Sequence, residues 1–325
     1  MTPNDTKENL LATLNFKSPA YIPYGLESVR TYWHRDAKFF FGNGDPFATA
    51  WTDIWGTDWV LGDKDAPESF HPVTFPLTSL DDIESFTFPD PYDPSLFGGL
   101  DIDKLDRNNN LLMMSNPGCL FTRAWLLRGM ENFLSDMLLE PELAELLLDK
   151  VLAYQEAIVA RQLAYKPDIV YFGDDAGTTK ALMMSPVLWR KMIKPRLAKL
   201  VQACRAAGCY VILHCCGKIT DIVDDFIEIG INVLNPVQVS TNDLVLLKQK
   251  SQGRLVLFGG IDTDLLVKGT PGEVKNHTRK MLDVLAPGGG YIANPDQLLP
   301  FPQENIDAAR EVVREFCYMY CSESI

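Results

Sequence analysis

The chain has 325 residues, of which 46% are apolar and 22% charged, a balance that fits an ordinary globular protein and excludes disordered and fibrous architectures. Its 30 basic and 43 acidic side chains leave a net charge of −13, and so acidic a surface repels phosphate backbones and anionic lipid, which excludes nucleic acid and membranes as partners. No stretch is long and apolar enough to span a bilayer and the first residues lack a signal-peptide pattern, so the chain is expected in the cytoplasm, with its seven cysteines as reduced thiols.

Short apolar runs that end in polar or glycine-rich clusters recur along the chain, with helical patterns between them. The first is YIPYGLE (21–27). The segment from about 28 to 110, rich in aromatic residues and proline, reads as an N-terminal elaboration over a barrel mouth, with a strand expected in TDIWGTDWVLG (52–62). LLMMSNPG (111–118) is followed by a long helical pattern that Pro141 splits in two, then IVYFGDD (169–175). In SPVLWRKMIKPRLAKLVQACRAAG, Ser185 suits an N-cap, Pro186 the first turn and Gly208 the stop. YVILHCCG (210–217), INVLNPVQ (231–238), LVLFGGID (255–262) and GYIANPD (290–296) complete the series. This βαβα alternation predicts a parallel sheet, closed as a (β/α)8 barrel in one domain over 1–325. The competing doubly wound sheet lacks the support of a GxGxxG after an early strand.

Strand ends at a barrel mouth are where such a fold places chemistry. In VILHCCGK, alternation turns His214 and Cys216 to one face and Cys215 to the other. An imidazole and a thiolate side by side suit Zn²⁺; the plainer alternative is a hydrogen-bonded histidine beside a core cysteine. Asp174 and Asp175 diverge in the same way, and Asp175 is taken as the functional one, against a helix-capping role. Asn235, Gln238, Asp262 and Asp296 follow successive strands and form a polar ring at the same rim, with Glu27 a further ligand or base. Asp175 and Asp262 are the catalytic candidates; Glu27, Asn235, Gln238 and Asp296 are the substrate-binding candidates. Gly259 and Gly260 allow a close backbone approach. His34, His71 and His277 are expected on the surface or in a lid, and Trp51, Trp55 and Trp59 in core or lid packing.

The ordered set DDAGTTKALMMSPVLWRKMIKPRLAKLV, HCCGKITDIVDDFIEIGINVLNPVQ, LVLFGGIDTDLLVKGTPGEV and APGGGYIANPDQLLPFPQENI resembles the uroporphyrinogen decarboxylase superfamily, in particular its cobamide-dependent methyltransferase branch, over about nine tenths of the chain. That resemblance implies a (β/α)8 barrel with its site at the C-terminal mouth. It also implies Zn²⁺ held by His214 and Cys216, which match a His-x-Cys ligand pair, and a corrinoid (cobalamin) supplied by a partner protein. The distant second cysteine of that branch has no counterpart in YIANPDQLLP, which leaves Asp296, Glu27 or another oxygen to complete the metal site, or no metal at all. The expected partners are a small methyl donor or acceptor, a corrinoid protein and, as a homodimer, a second copy of the chain. Two alternatives stand beside it: a cofactor-free decarboxylase, whose arginine-rich N-terminal run is missing from YIPYGLESVRTYWHRD, and, from a different class, a ligand- or corrinoid-binding protein without turnover.

Overall fold

A computed structural model describes residues 3–38, 48–63, 66–99 and 101–322; FFFGNGDPF (39–47) and the side chains of Cys317 and Cys321 lie outside what is described. In chain order the helices and strands are α1 (Pro3–Leu14), β1 (Val29–Trp33), β2 (Ala50–Thr52), β3 (Asp58–Asp63), β4 (Ala66–Thr74), β5 (Leu111–Pro117), α2 (Phe121–Arg128), α3 (Met130–Leu139), α4 (Pro141–Leu163) and β6 (Ile169–Gly173). There follow α5 (Pro186–Met192), α6 (Lys194–Ala206), β7 (Tyr210–His214), α7 (Val223–Ile229), β8 (Val233–Asn235), α8 (Leu244–Ser251), β9 (Val256–Ile261), α9 (Thr263–Lys268), α10 (Pro271–Leu285), β10 (Tyr291–Pro295) and α11 (Gln303–Ser322).

Seven strands form one sheet in the order β1-β5-β6-β7-β8-β9-β10, every pair parallel. The order follows the sequence without reversal, so the sheet has no switch point and the doubly wound alternative falls. The fold is an α/β barrel of the TIM type. Its two edges are joined by one stretch of chain: Pro23 and Gly25 exchange backbone hydrogen bonds with Ala293 of β10, at 2.9 and 2.8 Å, and the Ser28 carbonyl accepts from Leu111 of β5 at 2.7 Å. The first strand therefore starts at Val29, and YIPYGLE contributes a single bridge at Tyr24. The strand expected within 52–62 is not part of this wall. Those residues enter β2 and β3 of a separate antiparallel sheet in the order β2-β3-β4, where Trp51 stacks on Trp59. A charged pin ties that sheet to the barrel: the buried Arg123 of α2 reaches Asp53 at 3.2 Å and Asp36 at 3.5 Å, and its guanidinium lies over Trp55.

Alternation along the strands explains two cores. Leu111, Met113, Ile169, Ile212, Val233, Val256, Phe258 and Ile292 meet inside the barrel, plugged at one end by Leu10 and Leu14 of α1. Leu112, Met114, Val170, Phe172, Val211, Leu213, Leu234 and Leu257 point outward and are covered by the helices. Ser185 caps α5 through Leu188, as its position suggested. The single helix expected after it breaks at Ile193, because Pro195 has no N–H to continue the ladder. No described helix is long and apolar enough to cross a membrane.

Candidate metal centre

β7 carries Ile212 into the barrel interior, so His214, two residues on, also points inward at the C-terminal end. The chain then leaves the strand, and Cys216 returns its sulfur to 3.2 Å from His214 Nε2. Cys215 is buried in the outer core, its Sγ accepting from the Ala176 amide at 3.3 Å. The two aspartates after β6 part company as well. Asp174 is buried and accepts from the amides of Leu120, Phe121 and Thr122, at 2.8–3.1 Å, which closes the start of α2. Asp175 stands beside the pair from β7: its Oδ1 accepts from the Cys216 amide at 2.7 Å and lies 3.9 Å from His214 Nε2.

Asp175, His214 and Cys216 thus offer one ligand atom each within 4.8 Å of one another, and among the described residues they are the group able to hold a metal ion. A tetrahedral zinc site with bonds of the usual length separates its nitrogen and oxygen or sulfur donors by about 3.4–3.6 Å, so the spacing and the N, S, O donor set fit that ion.

Asn235, level with His214 on the neighbouring strand, gives its Nδ2–H to the Phe258 carbonyl at 3.1 Å. Its Oδ1 is thereby turned to His214 Nδ1, 2.8 Å away, where it accepts the ring proton and leaves Nε2 to face the sulfur. Burial works against charge on this ring, but the Cys216 sulfur, Asp175 and Asn235 outweigh it and His214 is pushed up to about 10.

The other candidates serve the loops. Asp296 is buried; its Oδ1 accepts from Gly260 and Gln238 and its Oδ2 from Val239, at 2.8–3.0 Å, and burial, ahead of these amides, pushes it up to about 6. The Gly259 backbone closes on this carboxylate so tightly that a Cβ would stand 2.6 Å from Oδ1, which answers the expected close approach. Gln238 accepts from the Gly217 amide at 2.5 Å. Asp262 caps α9 through Leu265, and its own amide donates to His277 Nε2 at 3.2 Å. Glu27 is exposed and accepts from Tyr21 at 3.4 Å, outside the ligand group. His34, expected at the surface or in a lid, is 3% exposed and stacked on Phe97, with its Nδ1 3.5 Å from Nε2 of Gln162, which also donates to Asn116.

Sequence reasoning missed two neighbours of the ligands. Gln297 donates from Nε2 to Cys216 Sγ at 3.1 Å, and Tyr171 lies with its ring 6.0 Å from that of His214. Tyr171 was accessible from the same alternation that selects His214, since Ile169 and Gly173 bracket it on β6. Gln297 follows Asp296 directly, but nothing short of the folded loop brings it to residue 216. A cavity of about 510 Å³ lies elsewhere, lined by Phe16, Lys17, Tyr21, Pro287, Gly290 and Phe316.

Residues 56–316 match the family model described as uroporphyrinogen decarboxylase (URO-D). Among solved structures, a methyltransferase from Methanosarcina mazei aligns over 96% of this chain and 98% of its own with a TM-score of 0.71 at 18% identity, a likeness of fold. A B12-independent methionine synthase from Shewanella sp. W3-18-1, in complex with selenomethionine, aligns over 66% of this chain and 63% of its own with a TM-score of 0.43 at 14% identity. A comparison with curated proteins gave no match.

Proposed function

Since the chain belongs to the uroporphyrinogen decarboxylase family, we propose that it is a corrinoid-linked methyltransferase, moving a methyl group between a small methylated substrate or thiol acceptor and a corrinoid held by a partner protein. The observation that carries this reading is the His214, Cys216 and Asp175 group at the C-terminal end of the barrel. A decarboxylase that works without a cofactor has no use for three such donors turned toward one point.

These three side chains would hold Zn²⁺, and the bound ion would supply Lewis acidity, enough to ionise a thiol or to polarise the leaving group of a methyl donor. Asn235 keeps the Nε2 lone pair of His214 aimed at the site, and the amide of Cys216 ties Asp175 to the same loop. Tyr171 forms a wall next to His214. Burial, with Asp175 and Cys216 close by, pushes its phenol up, so it stays protonated and able to donate. Asp262 and Asp296 hold the rim that a substrate meets, rather than reaching the ligand group.

The test is elemental analysis of protein purified under reducing conditions, with methylcobalamin absorbance followed in the presence of candidate thiols. The expected result is about one zinc per chain in the wild type, lost in His214→Ala and Cys216→Ser, with demethylation of the corrinoid only in the loaded protein. A protein that takes up no zinc when it is offered, and leaves methylcobalamin untouched, overturns the reading and favours decarboxylation.

A further inference from the structure

The contact between Gln297 and Cys216 joins the loop after β10 to the loop after β7, and the fold fixes it. Just before Gln297, Asp296 is locked by three backbone amides, and the amide that joins the two residues donates to Thr263 Oγ1 at 3.0 Å. The backbone leading into Gln297 is therefore held, and the half-buried side chain extends to put Nε2 3.1 Å from Sγ. With His214 Nε2 at 3.2 Å, the sulfur has two nitrogen neighbours from two different strand ends.

We infer that Gln297 is a positioning residue that fixes the Cys216 sulfur and trims its donor strength. An N–H aimed at a thiolate lowers the energy of the sulfur lone pairs, so the sulfur gives less charge to whatever it binds. A glutamine at this place lets one cysteine serve the site without a second sulfur: it contributes a donor hydrogen where a third anionic ligand would add charge. A metal held by Cys216 beside Gln297 is thus more electron-poor than one held by an unassisted thiolate. The metal part of this inference rests on the proposed function, whereas the contact itself does not.

Two measurements separate them. In metal-free protein labelled with ¹⁵N at glutamine, the Gln297 side-chain amide signal is assigned by its loss in Gln297→Leu, and it is expected to move when Cys216 becomes alanine. In cobalt-loaded protein, the thiolate-to-cobalt charge-transfer band is expected at longer wavelength in Gln297→Leu and in Gln297→Glu, because a sulfur freed of the N–H is the stronger donor. An amide signal that ignores Cys216→Ala overturns the inference whatever the metal does. A signal that moves, with a cobalt band unchanged in both Gln297 variants, overturns the claim of donor strength. A signal that moves in a wild-type protein that binds neither cobalt nor zinc upholds the positioning of Cys216 and sinks the metal reading instead. Gln297→Glu keeps a polar side chain of the same length, so a leucine variant that fails to fold leaves the cobalt arm intact.

Discussion

Gly217 offers the most demanding test of how the two ligand-bearing loops are fitted. It sits at φ +89°, and a Cβ there would stand 2.5 Å from the Gly177 carbonyl oxygen and 2.7 Å from its Cα. The obstruction is backbone, which cannot rotate away. Gly217→Ala therefore takes two penalties: about 1–2 kcal/mol for a left-handed conformation and about 1–3 kcal/mol for overpacking, roughly 2–5 kcal/mol together. Gly208 supplies the control, since its φ is +84° and a Cβ there meets nothing within 4 Å. Gly208→Ala should pay only the first penalty. Urea unfolding midpoints of the two variants, read at a common slope, give the difference. Gly217→Ala should also load less metal, because the Gly177 amide bonds the Cys216 carbonyl at 3.2 Å and relief of the clash must part Asp175 from Cys216. A Gly217 variant that costs no more than the Gly208 variant would refute the argument that backbone contact sets the ligand spacing.

Three other outcomes are expected. Asn235→Leu removes the acceptor of the His214 ring proton and should weaken metal binding by roughly 10–100-fold in chelator competition, while a metal affinity equal to wild type would show that the ring needs no such partner. Asp296 is raised from 3.8 to about 6, so between those values the folded state holds more protons than the unfolded one and stability falls as pH rises. The shift corresponds to about 3 kcal/mol, visible as a pH-dependent gap between wild type and Asp296→Asn in urea melts from pH 4 to 7; a gap that stays flat would contradict it. Arg123→Met strands Asp36 and Asp53 in the interior and should cost roughly 3–5 kcal/mol, measured by the same melts, whereas a neutral result would mean that the pin holds nothing.

Much of the barrel could be read from local pattern because its strands are short, apolar and bounded by turns, and the alternation along 210–217 already separates Cys215 from the pair that meets 3.2 Å apart. The segment before residue 110 could not be read so. There β2, β3 and β4 pair antiparallel and lean on α2 through a buried ion cluster, and neither the pairing nor the burial of His34 has a periodic signature. Polar residues at strand ends looked alike in sequence, yet Asp174 and Asp262 cap helices, Asp296 gathers amides and Asp175 stands with the ligands. What divides them is which backbone N–H groups reach each carboxylate, a property of the assembled loops. Gln297 was hidden for the same reason.

The stretch from Pro23 to Trp33 bonds to both edges of the sheet, and its partner Ala293 lies at the far end of the chain. On the ribosome this early piece must wait until the other strands of the sheet have been made before its second neighbour exists. Until then the nascent sheet has two raw borders, each open to pairing with another copy. The barrel is sealed by a clasp between first and last, so chains cut short before β10 should associate through those borders rather than fold, and the rate of closure should track the long search between the ends rather than the local strengths of the strands.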